Sequence, residues 1–173
     1  NYFLIVGPKD DPASVKGLSP EDALKKLAEA GTSTFISRGD DSGTHSKEKA
    51  IWESAGYDYE EIRKAGRWYV EAGRGMGPTL LMASEKRGYT ITDLGTFLSY
   101  VSRVALIPLV DKGNTLLNVY SVLAVASTKY PDMADNMIEF LTSDEIQKLI
   151  GDYGIEEYGI SLFNPYAEAK PDS

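Results

Sequence analysis

The sequence has no cysteine and a single histidine, His45, among its 173 residues. The first absence excludes disulfide bonds, thiol nucleophiles and cysteine-ligated zinc, and the second excludes a histidine-rich metal site. No run of 18 consecutive apolar residues occurs, so no membrane-spanning helix is predicted. Basic residues number 18 against 26 acidic ones, and the resulting net charge of −8 argues against a protein that binds nucleic acid.

The residues that are present describe an ordinary globular chain. Hydrophobic residues make up 42% of the sequence and charged residues 25%, and the length suits one domain or one and a half. Short apolar runs alternate with amphipathic helical patterns, which predicts an α/β protein. Strands are expected at residues 2–6, 34–37, 89–92, 106–110 and 120–125. Helices are expected at 19–31, 44–56 and 75–88, and in two pieces within 131–150.

The segment from Arg38 to Thr44 follows a predicted strand and enters a predicted helix. The first N–H groups of a helix have no intrahelical partner, and with the helix dipole they form a site for anions. Gly43 lets the backbone approach a ligand, while the hydroxyls of Ser42 and Thr44 add donors. Arg38 adds a guanidinium suited to a multi-oxygen anion, and Asp40 is placed to pair with it and fix its orientation. The loop is therefore a candidate pocket for a small oxyanion.

Plainer interpretations stay open at this point. Ser42 to Thr44 also fits an ordinary helix cap, with Arg38 in a surface ion pair. Met76 and Gly77 begin a second helix and are weaker anion-binding candidates, because a simple glycine turn explains them equally well. His45 is expected to be solvated or to cap the helix. The sequence shows no serine nucleophile with a spaced base and no metal-ligand pattern, so no catalytic residue and no metal site are predicted.

Several segments together resemble the tungstate-binding proteins that serve ABC importers, a family of two-lobed, type II periplasmic-binding-protein-like proteins. The resemblance covers almost the whole chain and includes the loop itself. The matching segments are residues 5–8, 35–44, 75–80, 89–96, 118–122 and 159–165. The spacing Arg-x-Asp-x-Ser-Gly-Thr is also similar to that of phosphate-binding proteins of the same class.

The resemblance implies a domain organisation. Residues 7–117 would form a complete second α/β lobe with a mixed sheet flanked by helices. Residues 1–6 and 118–126 would be crossover hinge strands, and residues 127–173 would be the C-terminal piece of the first lobe. The family's N-terminal segment is not found here, and the helices within 131–150 are therefore expected to expose an apolar face.

The resemblance also implies a function. Tungstate and molybdate carry no proton at neutral pH and only accept hydrogen bonds, which suits a pocket of donors, whereas phosphate keeps a proton that needs an acceptor. The expected ligand is therefore tungstate or molybdate, without any cofactor, and the expected partner is the membrane subunit of an ABC transporter. The family works outside the cytoplasmic membrane, in the periplasm or tethered by a lipid. A phosphate-binding protein and a module that binds no anion are the alternatives.

Overall fold

The computed structural model describes residues 1–165 and divides the chain into two compact units. Tyr2–Asn118 form one unit, and Asn1 joins the residues from Val119 onward in the other. The strands are β1 (Phe3–Pro8), β2 (Phe35–Ser37), β3 (Tyr69–Glu71), β4 (Thr90–Asp93) and β5 (Leu106–Val110). The helices are α1 (Pro20–Ala30), α2 (Gly43–Ser54), α3 (Tyr59–Ile62), α4 (Met76–Glu85), α5 (Leu94–Tyr100), α6 (Pro131–Thr142), α7 (Asp144–Asp152) and α8 (Ile155–Tyr158).

The sheet of the Tyr2–Asn118 unit is mixed, as predicted. β1 lies between β4 and β5 and is antiparallel to both, while β2 and β3 pair in parallel. A bridge between Phe35 and Tyr89 connects β2 to the residue that precedes β4. The carboxyl ends of β2 and β3 therefore meet at one edge, and each strand is followed there by a loop and then by a helix, α2 or α4.

Helices cover both faces of β1, which explains its uninterrupted apolar sequence. Side chains alternate across a strand, so Phe3 and Ile5 face one cluster while Leu4 and Val6 face the other. The first cluster includes Leu24 and Leu27 of α1 and Trp52 of α2. The second includes Leu80 of α4 and Phe97 of α5. β1 is thus the central strand of a three-stranded sheet, and the role of residues 1–6 as a hinge strand stays a prediction.

The second unit differs from the sequence prediction in one unpredicted helix, α8, and in one predicted strand that is not formed. Residues 120–125 were expected to form a strand but have no strand conformation. Tyr120, Leu123 and Val125 are at least two-thirds exposed, because no strand among residues 1–165 lies beside them to supply the hydrogen bonds of a ladder. An extended apolar sequence without a partner cannot hold a sheet conformation by itself.

The helices of the second unit expose apolar side chains, as expected. None of the residues of α6 and α7 is buried, and Met133, Met137, Phe140 and Leu149 are more than half exposed. Ser143 is the N-cap of α7, as its sequence position indicates, but its hydroxyl donates to the Phe140 carbonyl. The last part of the expected 127–173 segment, residues 166–173, lies outside the described residues.

Candidate anion-binding site

The loop between β2 and α2 has an unusual backbone. Gly39 and Asp41 both have left-handed φ angles, of 58° and 53°. Two observations require glycine at position 39. Its φ angle is left-handed, and any Cβ there would lie 2.7 Å from the Cβ of Glu71. Sequence reasoning assigned the special glycine to Gly43 and missed Gly39. The loop therefore turns sharply as it leaves β2 and directs the chain into α2.

The start of α2 has the properties expected of an anion site. Ser42 is the N-cap, and its Oγ accepts the N–H of His45 at 3.3 Å. The N–H groups of Gly43 and Thr44 come first in the helix, where no intrahelical acceptor exists. An added Cβ at Gly43 would meet no atom within 4 Å, so the space beside this backbone is open. Ser42 acts within the protein as a cap, and its predicted contact with a ligand stays a prediction.

The structure brings Arg38, Asp40 and Thr44 together. The Arg38 guanidinium donates to Asp40 Oδ2 from Nε at 3.1 Å and from Nη2 at 2.5 Å, and the role of Asp40 in orienting Arg38 toward an anion stays a prediction. Its Nη1 donates to Thr44 Oγ1 at 3.3 Å. Within residues 1–165 these bonds leave two of the five guanidinium N–H groups free, and they leave the Thr44 hydroxyl proton free as well. Those donors are available to an anion.

Both acidic residues of the loop have basic partners. Burial alone would raise the pKa of Asp40, but hydrogen bonds from Ser42 and Arg38 hold it below its ordinary value. Asp40 Oδ1 accepts the Ser42 N–H at 3.2 Å, so both oxygens of this carboxylate are engaged within the loop. Asp41 is mostly exposed and pairs with Lys49 Nζ at 2.8 Å, which lowers its pKa. The negative charges of the loop are therefore compensated before any ligand binds.

The weaker candidates, Met76 and Gly77, lie at the start of α4. This helix follows β3 at the same edge of the sheet as α2, but its N-cap, Gly75, provides no side-chain hydrogen bond. Met76 packs into the core, and a Cβ on Gly77 would clash with the hydroxyl of Tyr100. Packing thus accounts for both residues, and their part in anion binding stays a prediction.

Sequence reasoning missed a polar cluster beneath the loop. His45 was expected to be solvated or to act as a cap, but it is only 4% exposed and contacts Asp41 and Tyr59 instead. Glu48 is 2% exposed and accepts hydrogen bonds from Ser37, Trp52 and Tyr69. Burial raises the pKa of Glu48 to about 7, although these three hydrogen bonds act in the opposite direction.

A sequence signal for part of this cluster does exist. Thr44, Glu48 and Trp52 follow one another at intervals of four, which places Glu48 on the same helix face as the core residue Trp52. A carboxylate on a core face needs donors from other elements, and the sequence alone does not show which residues supply them.

Neither a membrane-spanning helix nor a metal-binding cluster is found among residues 1–165. No helix in this range is both long and apolar enough to cross a membrane. The same residues contain no group of three or more histidine, aspartate or glutamate side chains arranged to hold a metal ion.

An α/β unit with a donor-rich loop at the carboxyl ends of parallel strands is an arrangement that binds small ligands. The chain belongs to the PBP superfamily: the model of this family, described as the PBP superfamily domain, matches residues 1–145. Over 174 residues the chain is 45% identical to the tungstate-binding protein TupA of Peptoclostridium acidaminophilum. That match includes 96% of this chain and 59% of the relative.

Solved structures agree with this relationship. The tungstate-binding protein TupA from Desulfovibrio alaskensis G20 superposes with a TM-score of 0.80 at 40% identity, over 97% of this chain and 68% of that one. The tungstate ABC transporter structure from Geobacter sulfurreducens gives a TM-score of 0.73 at 46% identity, over 88% of this chain and 65% of the other. The chain thus spans about three-fifths of the length of the P. acidaminophilum protein.

Proposed function

We propose that this chain is the anion-binding part of a solute-binding protein that captures tungstate, or molybdate, and delivers it to the membrane subunit of an ABC transporter. The relatives support this proposal, since they are named tungstate-binding proteins and one related structure is that of a tungstate ABC transporter. The oxyanion is the cargo, and the chain performs no catalysis on it. Its proposed place is outside the cytoplasmic membrane, in the periplasm or held there by a lipid.

The observation that carries the proposal is the set of free hydrogen-bond donors that the described residues bring together at the loop. Arg38, Thr44 and the first N–H groups of α2 offer hydrogen bonds, while both Asp40 oxygens are already occupied. Tungstate and molybdate carry two charges and no proton, so they match a set of donors. Hydrogenphosphate carries a proton, and the acceptor nearest to these donors, Asp40, already accepts hydrogen bonds from Arg38 and Ser42. The arrangement therefore favours tungstate over phosphate.

The strength of such binding depends on charge. Hydrogen bonds to a charged group contribute about 1.5–3 kcal/mol each, roughly twice as much as those between neutral groups. Arg38 is the cationic donor of the loop and also fixes Asp40, so its removal would both delete donors and leave a carboxylate facing the anion. Arg38→Ala is expected to weaken tungstate binding by about a hundredfold or more, or about 2.7 kcal/mol.

Isothermal titration calorimetry of this chain with tungstate, molybdate, sulfate and phosphate tests the proposal. Arg67→Ala is the matched control, because Arg67 is an exposed arginine outside the loop and its removal changes the net charge equally. We expect heat from tungstate and molybdate, its loss in Arg38→Ala and its retention in Arg67→Ala. Heat from phosphate alone would instead identify a phosphate-binding protein, and no heat from any anion would favour a module that binds none.

A further inference from the structure

Two backbone N–H groups of the loop are held by side chains from the interior. Gly39 N–H donates to Ser37 Oγ at 3.2 Å, and Asp41 N–H donates to His45 Nδ1 at 3.0 Å. These are the two loop residues with left-handed backbone. Such a conformation is unfavourable for aspartate unless the surroundings impose it. The two hydrogen bonds therefore help to hold the turn in its shape, together with those that Asp40 and Asp41 accept.

The hydrogen bond from Asp41 to His45 determines which imidazole nitrogen carries the proton. Since Nδ1 accepts from Asp41, a neutral His45 carries its proton on Nε2. Nε2 then donates to the Tyr59 hydroxyl at 2.5 Å, and Tyr59 donates to Glu71 Oε1 at 2.9 Å. Burial, followed by the charge of Lys49, lowers the pKa of His45 and favours this neutral form, although Asp41 and Glu71 act in the opposite direction.

The bond to Ser37 begins a second branch. The Ser37 hydroxyl donates to Glu48 Oε2 at 2.6 Å, and the Tyr69 hydroxyl donates to Glu48 Oε1 at 2.5 Å. The Tyr69 and Tyr59 hydroxyls lie 3.2 Å apart, so the two branches meet in a contact, although each hydroxyl donates its one proton to a carboxylate. Ser37 and Glu48 are buried, so this part of the chain of hydrogen bonds runs through the interior.

We propose that Ser37, His45, Glu48, Tyr59 and Tyr69 form a positioning network that holds the loop in its binding conformation before the anion arrives. The inference rests on the proposed function, because it concerns the same loop. A loop that must become ordered on binding loses affinity to conformational entropy, whereas one held in place does not. None of the five residues needs to touch the anion. They act through the backbone of Gly39 and Asp41, which leads to the donors at the start of α2.

Tyr59→Phe tests the network by removing one hydroxyl while keeping the ring. It leaves the His45 Nε2–H without its acceptor, so the imidazole is no longer fixed and the Asp41 N–H loses a stable partner. Tyr57→Phe is the matched control. The Tyr57 ring packs on Trp52, at 5.8 Å between centroids. Its hydroxyl bonds to no side chain or backbone group among residues 1–165. Circular dichroism establishes that both variants are folded.

The first readout is amide hydrogen exchange of the unliganded chain, followed by NMR at the Asp41 and Gly39 N–H groups. We expect exchange at Asp41 to accelerate by about tenfold in Tyr59→Phe and to stay unchanged in Tyr57→Phe. The second readout is tungstate affinity by calorimetry, which we expect to fall by about tenfold in Tyr59→Phe alone. A residue with a merely structural role would lower the melting temperature without changing either quantity selectively.

Two substitutions at His45 test its hydrogen bond to Asp41 and its hydrogen bond to Tyr59 separately. His45→Asn places an amide oxygen near the position of Nδ1 and can still accept the Asp41 N–H, whereas His45→Gln reaches toward Tyr59 and abandons Asp41. The network predicts tighter tungstate binding and slower Asp41 exchange in the asparagine variant than in the glutamine variant. The reverse order would overturn it. If Tyr59→Phe fails to fold, these two His45 variants still test whether the network positions the loop.

The outcomes distinguish the network from the function on which it rests. Unchanged Asp41 exchange in Tyr59→Phe contradicts the network, and so does faster exchange with unchanged tungstate affinity. If the unaltered chain binds no tungstate, the proposed function fails. The exchange measurements still show in that case whether the network holds the loop, because they are made without a ligand.

Discussion

The helices α2 and α4 begin at the same edge of the sheet, after the parallel strands β2 and β3, yet their first turns are built differently. At the start of α2, Ser42 caps the helix, and Arg38 and Thr44 add polar hydrogens. At the start of α4, the Gly75 cap has no side-chain hydrogen bond. The Thr79 hydroxyl there is used internally, on the carbonyls of Arg74 and Gly75.

The interiors beneath the two helices differ in the same sense. α2 buries its own residues Glu48 and His45 with their hydrogen-bonded partners, whereas α4 buries Met76, Leu80 and Ala83 against an apolar cluster. A helix dipole by itself contributes only a weak attraction to an anion. The comparison therefore indicates that a specific site depends on side-chain donors and on a loop that is held in place, and that only the start of α2 has both.

The largest expected difference between the two helices is the effect on tungstate affinity of an alanine at Gly43 or at Gly75. Gly43 and Gly75 both have room for a Cβ in the unliganded protein and neither has a left-handed backbone, so Gly43→Ala and Gly75→Ala should fold normally. If an oxyanion approaches the α2 backbone, only the methyl at Gly43 obstructs it. We expect about a hundredfold weaker tungstate binding in Gly43→Ala, measured by calorimetry, and unchanged binding in Gly75→Ala.

The same pair of variants can also contradict the comparison. Equal losses of affinity would mean that the starts of both helices contact the anion, as the hypothesis for Met76 and Gly77 requires. No loss in either variant would place the ligand elsewhere. Melting temperatures measured in parallel guard against a loss that merely reflects unfolding.

A second difference concerns pH. Glu48 is buried within α2, and burial raises its pKa to about 7, while α4 buries no ionisable side chain. The ionisable groups near Glu48 are Tyr69, Tyr59 and Glu71. Because the native state holds this proton more tightly than the unfolded chain, the contribution is fully present below pH 4.5 and is lost as pH rises through about 7. We expect a loss on the order of 2 kcal/mol in the free energy of unfolding over that window.

Glu48→Gln provides the control for the pH prediction, since glutamine keeps the shape and cannot ionise. Urea denaturation at pH 5, 6, 7 and 8 should show the loss of stability in the unaltered chain and a smaller slope in the variant. Identical slopes in the two proteins would mean that Glu48 does not titrate in this range.

These differences also show which features a sequence can reveal. The pairing of Arg38 with Asp40 and the cap at Ser42 were predictable because each partner is a near neighbour in the chain. The rest of the network under the loop was not, because Glu48 also accepts from β2 and β3, and His45 also contacts Tyr59 on α3. Residues 120–125 failed as a strand for the same reason. Their sequence is suitable, but a strand requires a partner that local patterns do not specify.

The smallest expected difference is that between the two threonine hydroxyls. Thr44→Val removes the hydroxyl that is free to donate to an anion, and we expect about tenfold weaker tungstate binding, or about 1.4 kcal/mol. Thr79→Val removes a hydroxyl that is already bonded to backbone carbonyls, so we expect about 1 kcal/mol of lost stability and unchanged affinity. Calorimetry and urea denaturation of both variants measure these quantities. If Thr79→Val instead weakened tungstate binding as much as Thr44→Val, the start of α4 would take part in the site, and the distinction between the two helices would be lost.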